Sequence, residues 1–345
     1  MMAVLWGQKY SKMDLLRRVG DLRQLAGAQA LELVDGRERG VRAVRLYNAA
    51  GLSVEVILDR GMALTDVSFH GTPLGFRNVG DVAHAGYSEP QGLGWLRTWP
   101  AGFLTPCGLT QVGSPCNDNG EELGQHGRLA GIPASNASWG GEWQDDEYVV
   151  WVEGTMHEAV PFGFNLTLKR RVWMRLDEPR FWIEDQVVNH SFEPAPHMLL
   201  QHFNLGFPLV DKTTRLEIDA LASTPRDDVA RPGLDTCRTY QDPTPGYQEQ
   251  VFYHDLKAGP DGRVAVRLVN PAWNDGQGLS VTWRYAKAEL PILVQWKMMG
   301  EGFYVAGIEP GNCHVEGRVK ERERGTLVML APQETKKYTI ELDIE

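Results

Sequence analysis

Along most of this chain apolar residues alternate with polar ones at a period of two. The run KYTIELDI (337–344) is the clearest case. Tyr338, Ile340, Leu342 and Ile344 fall on one face, and Lys337, Thr339, Glu341 and Asp343 on the other. Successive side chains of a strand point to opposite faces, so this pattern predicts a strand with one covered face. SVEVIL (53–58), YVVWVEG (148–154), FNLTLKRRVWM (164–174), RFWIEDQVV (180–188), VAVRLV (264–269), LSVTWRY (279–285) and TLVML (326–330) read as strands too. Gly, Pro and Asx turns such as LDEPR, GPDGR and NDGQG separate them. Alternation of this kind belongs to antiparallel sheet. One early segment has the helical period instead, with Leu15, Val19, Leu22 and Leu25 on one side. Ser11 stands as its N-cap with Asp14 in the capping-box position, and Gly27 ends it, predicting a helix over 11–27. The expected fold is therefore mainly all-β: one domain, 1–345, a large antiparallel β-sandwich with one N-terminal helix packed on it. Two stretches, 71–147 and 222–250, carry many Gly and Pro residues. Loops of that length in a compact domain usually form the walls or lids of a site.

Two strand frames carry candidate chemistry. In HMLLQHFNLGFPL (197–209), Leu200, His202 and Asn204 share a face, and Gln201, Phe203 and Leu205 the other. In GFYVAGIEPGNCHVEGR (302–318), Val305, Gly307 and Glu309 share a face. Gly307 removes a side chain beside the carboxylate and leaves room for a ligand. Pro310 and Gly311 follow, where a sheet turns into a loop, a place functional groups favour. An acid and a base on two strands facing one cleft are what proton transfer on a sugar hemiacetal needs.

Further candidates lie around these two. Arg97 stands between Trp95 and Trp99: a guanidinium donates to hydroxyls, and indole faces stack on a pyranose. His126 lies in GQHGR, where flanking glycines let backbone approach a ligand. In LPILVQWKMMG (290–300), Gln295 and Lys297 share a face with Leu293 and Met299, while Val294, Trp296 and Met298 share the other. The polar pair, beside the Glu309 strand, is expected to contact sugar, and Lys297 would favour an acidic one. Asn204 shares the face of His202. Asp59 and Arg60 close a strand and bound the cleft. Each of these residue types also occurs as a satisfied core or surface group, so the frames carry the inference rather than the residues alone.

These frames carry a resemblance. HFNLGF resembles the histidine-bearing element of the aldose 1-epimerases (galactose mutarotases), and GIEP the segment carrying that family's catalytic glutamate. VVNHSFEPAPHMLLQH (187–202), GWLRTWPAGFLTPCGL (94–109) and LGQHGRLAGIPA (123–134) are similar to further family segments, in family order from about residue 45 onward. The differences gather at EPGNCHVEGR, around the loop 310–318. The resemblance implies a galactose mutarotase-like supersandwich with a sugar cleft on one concave sheet. It implies that Glu309 is the general base and His202 the general acid of anomer interconversion, with Arg97 and His126 on segments that line the sugar site; the strand faces add Asn204, Gln295 and Lys297 as expected substrate contacts. Such a reaction needs no cofactor and no metal. Two rivals stand beside it: another sugar isomerase, epimerase or lyase on the same scaffold, and a non-catalytic carbohydrate-binding protein.

Composition narrows the partners. The chain has 345 residues, 42% hydrophobic and 23% charged, as expected of a globular protein with an ample core. A net charge of −10 with no basic block argues against nucleic acid and anionic membranes. No apolar run approaches the roughly 18–20 residues that span a bilayer. The first residues have no apolar stretch before a small-residue cleavage site, so no secretory signal is expected. Cys107, Cys116, Cys237 and Cys313 have no C-x-x-C spacing, so four reduced thiols and a cytoplasmic setting are expected. His126, His202, Glu309 and His314 show none of the short spacings of a metal site. The expected partner is a small carbohydrate. The sequence leaves the oligomeric state open.

Overall fold

The alternating segments become strands, and the strands assemble into two large sheets. A computed structural model describes residues 2–345. One sheet has eight strands in the order Ser135–Gln144, Glu147–Ala159, Asn165–Arg175, Arg180–Asn189, Thr335–Ile344, Leu279–Ala286, Arg263–Asn270 and Arg215–Ile218. The other has twelve. Its main path runs Ala220–Pro225, Gln250–Leu256, Ile292–Gly300, Phe303–Gly311, Ala195–Leu205, Leu104–Leu109, Ala63–Phe69, Leu52–Ile57, Arg42–Tyr47 and Gly27–Glu32. Val328–Leu330 pairs with Ala195–Leu205, and Thr72–Pro73 with Ala63–Phe69. Neighbouring strands run antiparallel, as the alternation requires.

The main core lies between the sheets. Phe103 meets Phe181 across it with ring centroids 6.1 Å apart, and Phe203 meets Trp283 edge-on at 5.5 Å. Ile340 and Leu342 lie in the same core, as the C-terminal alternation predicts. Each large apolar side chain so buried contributes about 1.5–3 kcal/mol. Arg170 and Asp185 of the eight-stranded sheet also point inward, where they meet Gln201 of the other. A second apolar cluster, including Trp99, Met198, Leu200, Val294 and Val305, lies on the opposite face of the twelve-stranded sheet. The two clusters separate the faces of Ala195–Leu205 along the predicted alternation: Phe203 and Leu205 toward the main core, Leu200 away from it.

The N-terminal helix is shorter than its periodicity predicts. It spans Lys12–Leu16, with the expected capping box between Ser11 and Asp14, and buries Leu15. Gly20 then breaks the run, and Asp21 caps a separate 3-10 turn at Leu22–Gln24. Glycine's backbone entropy and a fresh cap outweigh the apolar spacing. A helix not anticipated from the sequence, Arg318–Arg324, ends at Gly325 in the left-handed region. Five strands lie inside the stretch 71–147 read as loop, three of them only two or three residues long. Ser135–Gln144 holds Gly140 and Gly141, and Leu104–Leu109 holds Pro106 and Gly108, residues that weaken a strand pattern. No helix among the described residues is long and apolar enough to cross a membrane.

Candidate active site

The strands Ala195–Leu205 and Phe303–Gly311 pair directly, Asn204 opposite Gly307 and Phe203 opposite Ile308. This pairing brings together two side chains 107 positions apart in sequence. His202 Nε2 lies 3.3 Å from Glu309 Oε1, with both side chains nearly sealed from solvent. Glu309 does not close its strand: Pro310 continues the register opposite Leu293. Gly307 leaves room for the carboxylate itself rather than for a ligand, because a Cβ there would lie 2.3 Å from Glu309 Oε1. Glu309 Oε1 and His202 Nδ1 are buried with no hydrogen-bond partner.

The pair lies in a cleft of about 510 Å3 on the face of the twelve-stranded sheet away from the main core. That size is ordinary for a small-molecule site. Tryptophans build its apolar walls. Trp95 and Trp99 stack with centroids 5.4 Å apart, and Trp99 meets Trp296 at 5.9 Å and 65°. Trp99 Nε1 donates to Thr105 Oγ1 at 3.1 Å, which fixes that indole. His126 packs on Trp95 at 4.7 Å and edge-on to His202 at 5.5 Å. Its backbone is left-handed, with φ 55°, and its N–H donates to Gly113 O at 2.9 Å. The Gly113 N–H in turn donates to His126 Nδ1 at 3.4 Å, leaving Nε2 to carry the hydrogen of the neutral ring.

Burial sets the electrostatics. It lowers His202 to a pKa of about 4, and lowers His126 to about 3 with help from His202. Burial raises Glu309 well above the usual carboxylate range; the Glu249 carboxylate raises it further, and Arg226 partly opposes this. Both shifts favour the neutral forms, an uncharged ring beside a protonated carboxyl, the arrangement with no isolated buried charge.

The cleft also has a polar wall that the sequence does not reveal. Arg226 Nε donates to Asp227 Oδ2 at 2.8 Å, and its Nη2 to Glu249 Oε1 at 3.2 Å. Trp296 Nε1 donates to the other oxygen of Glu249 at 2.9 Å. These residues come from 222–250, one of the two stretches expected to form walls. The other supplies Trp95, Trp99 and His126. Arg60 holds the walls in place: its buried guanidinium donates to Ala130 O, Ala83 O and Thr98 O at 2.7, 2.6 and 2.6 Å. Asp59 does not reach the cleft and instead binds Arg42.

Four of the expected contacts lie elsewhere. Arg97 points to solvent, its side chain 74% exposed, 3.5 Å from Glu89. A 3-10 turn over Gly94–Arg97 turns Trp95 inward and Arg97 out. Gln295 and Lys297 lie on the other face of their strand, because Val294 pairs with Glu309 and Trp296 with Gly307. Gln295 Nε2 donates to Cys237 O at 2.6 Å, and Lys297 Nζ to Thr239 O at 2.7 Å. Lys297 therefore offers nothing to an acidic sugar. Asn204 is sealed, with Nδ2 donating to His202 O at 2.9 Å, and its contact is with the strand rather than the cleft. Among the described residues, no group of three or more His, Cys, Asp or Glu side chains is arranged to hold a metal. The four cysteines are free thiols.

Two mainly antiparallel sheets with an aromatic cleft on one outer face define a galactose mutarotase-like sandwich, and solved structures share it. A candidate aldose 1-epimerase from Klebsiella pneumoniae superposes with a TM-score of 0.87 at 24% identity, covering 96% of this chain and 85% of its own. A galactose mutarotase-like protein from Clostridium acetobutylicum gives a TM-score of 0.62 at 15% identity over 93% of this chain and 99% of its own. A galactose 1-epimerase from Lactobacillus acidophilus gives 0.53 at 15% identity over 92% and 98%. No curated protein matches the chain. The family profile described as Domain of unknown function (DUF4432) matches residues 38–344, and the chain belongs to that family.

Proposed function

We propose that the chain is an aldose 1-epimerase-like isomerase, interconverting the α and β anomers of a free monosaccharide or a close derivative. The observation that carries this reading is the 3.3 Å contact between His202 Nε2 and Glu309 Oε1 on the cleft floor. The anomeric hydroxyl and the ring oxygen of a sugar are bonded to the same carbon. Two protonic groups this close together can reach both oxygens at once. Sugar hydroxyls entering the cleft donate to the Glu309 carboxyl, which favours its charged form, and its proton passes to His202. Glu309 then takes the proton of the anomeric hydroxyl while His202 gives one to the ring oxygen. The C1–ring oxygen bond breaks, C1 becomes an aldehyde, the C1–C2 bond rotates, and the same transfers in reverse close the other anomer. His126 donates through Nε2 beside His202, and the indoles exclude water and take the apolar face of the ring.

The test is anomer exchange measured by NMR saturation transfer, with affinity measured on the same samples. A group acting in general acid–base catalysis contributes roughly 100- to 10,000-fold. Glu309→Gln and His202→Asn each remove most of the exchange and keep affinity within about tenfold, or about 1.4 kcal/mol. The double variant is little worse than the worse single one, because the two groups act in one step. Near-wild-type exchange in either folded single variant refutes the assignment.

A further inference from the structure

We propose that the cleft selects an amino sugar, whose ammonium group rests against the face of the Trp296 indole within reach of the Glu249 carboxylate, over sugars bearing a phosphate or a carboxylate. The proposal rests on reading the cleft as a sugar site, and it names the substrate class of that site.

Beside the His202–Glu309 pair, the cleft lining is rich in carboxylates. Asp227, Glu249 and Glu316 belong to it, and Arg226 is the one Lys or Arg in the cleft lining among the described residues. That cation is already engaged by two of the three acids, at 2.8 Å to Asp227 and 3.2 Å to Glu249. Glu316 takes Arg324 from outside the lining and the Tyr253 hydroxyl at 3.4 Å. Lys297 serves the other face of the sheet. Burial keeps His126 and His202 uncharged. An anionic substituent would therefore shed its water, find no free cation, and face carboxylates, an arrangement that costs far more than it returns.

An ammonium finds the opposite conditions. Tryptophan is the best cation-binding ring, and Trp99 and Trp296 meet at 65° to form a corner, with Glu249 fixing the Trp296 indole through Nε1. Each oxygen of Glu249 accepts one hydrogen bond and has a lone pair left for another donor. Glu309 Oε1 is an independent sign that the cleft awaits a polar ligand, since it is buried, lines the cleft and has no partner. With C1 at the His202–Glu309 pair, the amine lies on a ring carbon turned toward Glu249.

The experiment compares four probes with the full-length protein: 2-amino-2-deoxyhexoses, their N-acetyl derivatives, the parent hexoses and the hexose 6-phosphates. Binding is read by saturation-transfer difference, and anomer exchange is read separately. The expected result is amino-sugar affinity at least tenfold above the N-acetyl and parent sugars, weakest binding for the phosphates, and a preference that shrinks at high salt. Glu249→Gln, which keeps an acceptor for Trp296, narrows the amino-to-N-acetyl ratio several-fold. Equal affinity for amino and N-acetyl sugars, or tighter binding of the phosphates, overturns the proposal. Charge-ranked binding without accelerated exchange supports it and overturns the isomerase reading instead. No binding by any of the four overturns both.

Discussion

Arg170→Met removes a charge from between the two sheets, beneath the strand that carries His202. Arg170 and Asp185 are 0% and 1% exposed and form a two-point ion pair at 2.8 and 2.6 Å. Gln201, the neighbour of His202, completes the cluster from the other sheet. It accepts from Arg170 Nη2 at 2.8 Å and donates to Asp185 Oδ2 at 2.7 Å. Arg170 Nη1 also donates to Met62 O at 3.4 Å, and the bonds just named are all made within the cluster. Removing Arg170 alone leaves Asp185 as an uncompensated buried carboxylate, which costs about 3–5 kcal/mol. Globular domains are stable by roughly 5–15 kcal/mol, so the loss is a large fraction of the total. Removing the whole cluster has a different cost. Arg170→Met, Asp185→Leu and Gln201→Leu together replace polar groups with apolar ones of similar shape and leave none of the three unpaired. The triple variant should therefore be more stable than Arg170→Met alone. Urea denaturation of wild type, the singles and the triple, with the slope checked for constancy, measures this. A triple variant destabilised by the sum of its singles would refute the reasoning, because the cost would then lie in lost packing rather than in a stranded charge.

Two further outcomes follow from the geometry. Gly307→Ala places a methyl group 2.3 Å from Glu309 Oε1 and 2.8 Å from Trp296 Cβ, so the carboxylate must move. Anomer exchange should fall at least about 100-fold, with a stability loss of only about 1–3 kcal/mol; near-normal exchange in the folded variant would show that the position of Glu309 is not critical. His197 is fully buried between Leu109 O and the Tyr338 hydroxyl, and burial holds its pKa at about 4. The unfolded chain protonates this ring near pH 6.5 and the folded chain does not. Stability from His197 is thus fully present above pH 6.5 and lost as pH falls toward 4. His197→Gln should lower the slope of unfolding free energy against pH in that window by about 1.4 kcal/mol per unit, and an unchanged slope would mean that the folded ring protonates.

The period-two alternation carried most of the fold because each strand has one face in the main core, a constraint written locally in the residues themselves. It placed Phe203 and Leu205 inward and His202 toward the cleft without reference to any other part of the chain. Where a strand is covered on both faces the signal fades. Leu104–Leu109 is buried at every position and includes Pro106 and Gly108, so it resembles a loop although it lies in the middle of its sheet. The helix over 11–27 failed at Gly20 for a local reason that the apolar spacing masked. Arg226 and Glu249 escaped notice because a cleft wall made of loops has no period. Only the paired strands bring Glu249 to Trp296.

The misplacement of Gln295 and Lys297 is more instructive, because the sequence did contain the answer. The two faces of Ile292–Gly300 were separated correctly, and polarity was then used to decide which face meets the cleft. Polarity is a poor guide in a sugar site, where indoles and aliphatic side chains cover the ring's C–H surface. Buried polar groups such as these are equally at home beneath a covering segment that supplies carbonyls, as Thr236, Cys237 and Thr239 do here. Hairpin register is the better guide. Glu301 and Gly302 form a two-residue turn, Gly302 with φ +75°, that sets Gly300 opposite Phe303. Counting back along both strands sets Trp296 opposite Gly307 and Val294 opposite Glu309. Residues directly opposite in an antiparallel pair share a face, so a catalytic Glu309 requires Val294 and Trp296 in the cleft and sends Gln295 and Lys297 behind it. The same count explains why residue 307 is a glycine. Trp296 stands directly across from it and Glu309 beside it on the same face, and Trp296 Cβ and the Glu309 carboxylate together fill the space that a side chain there would occupy.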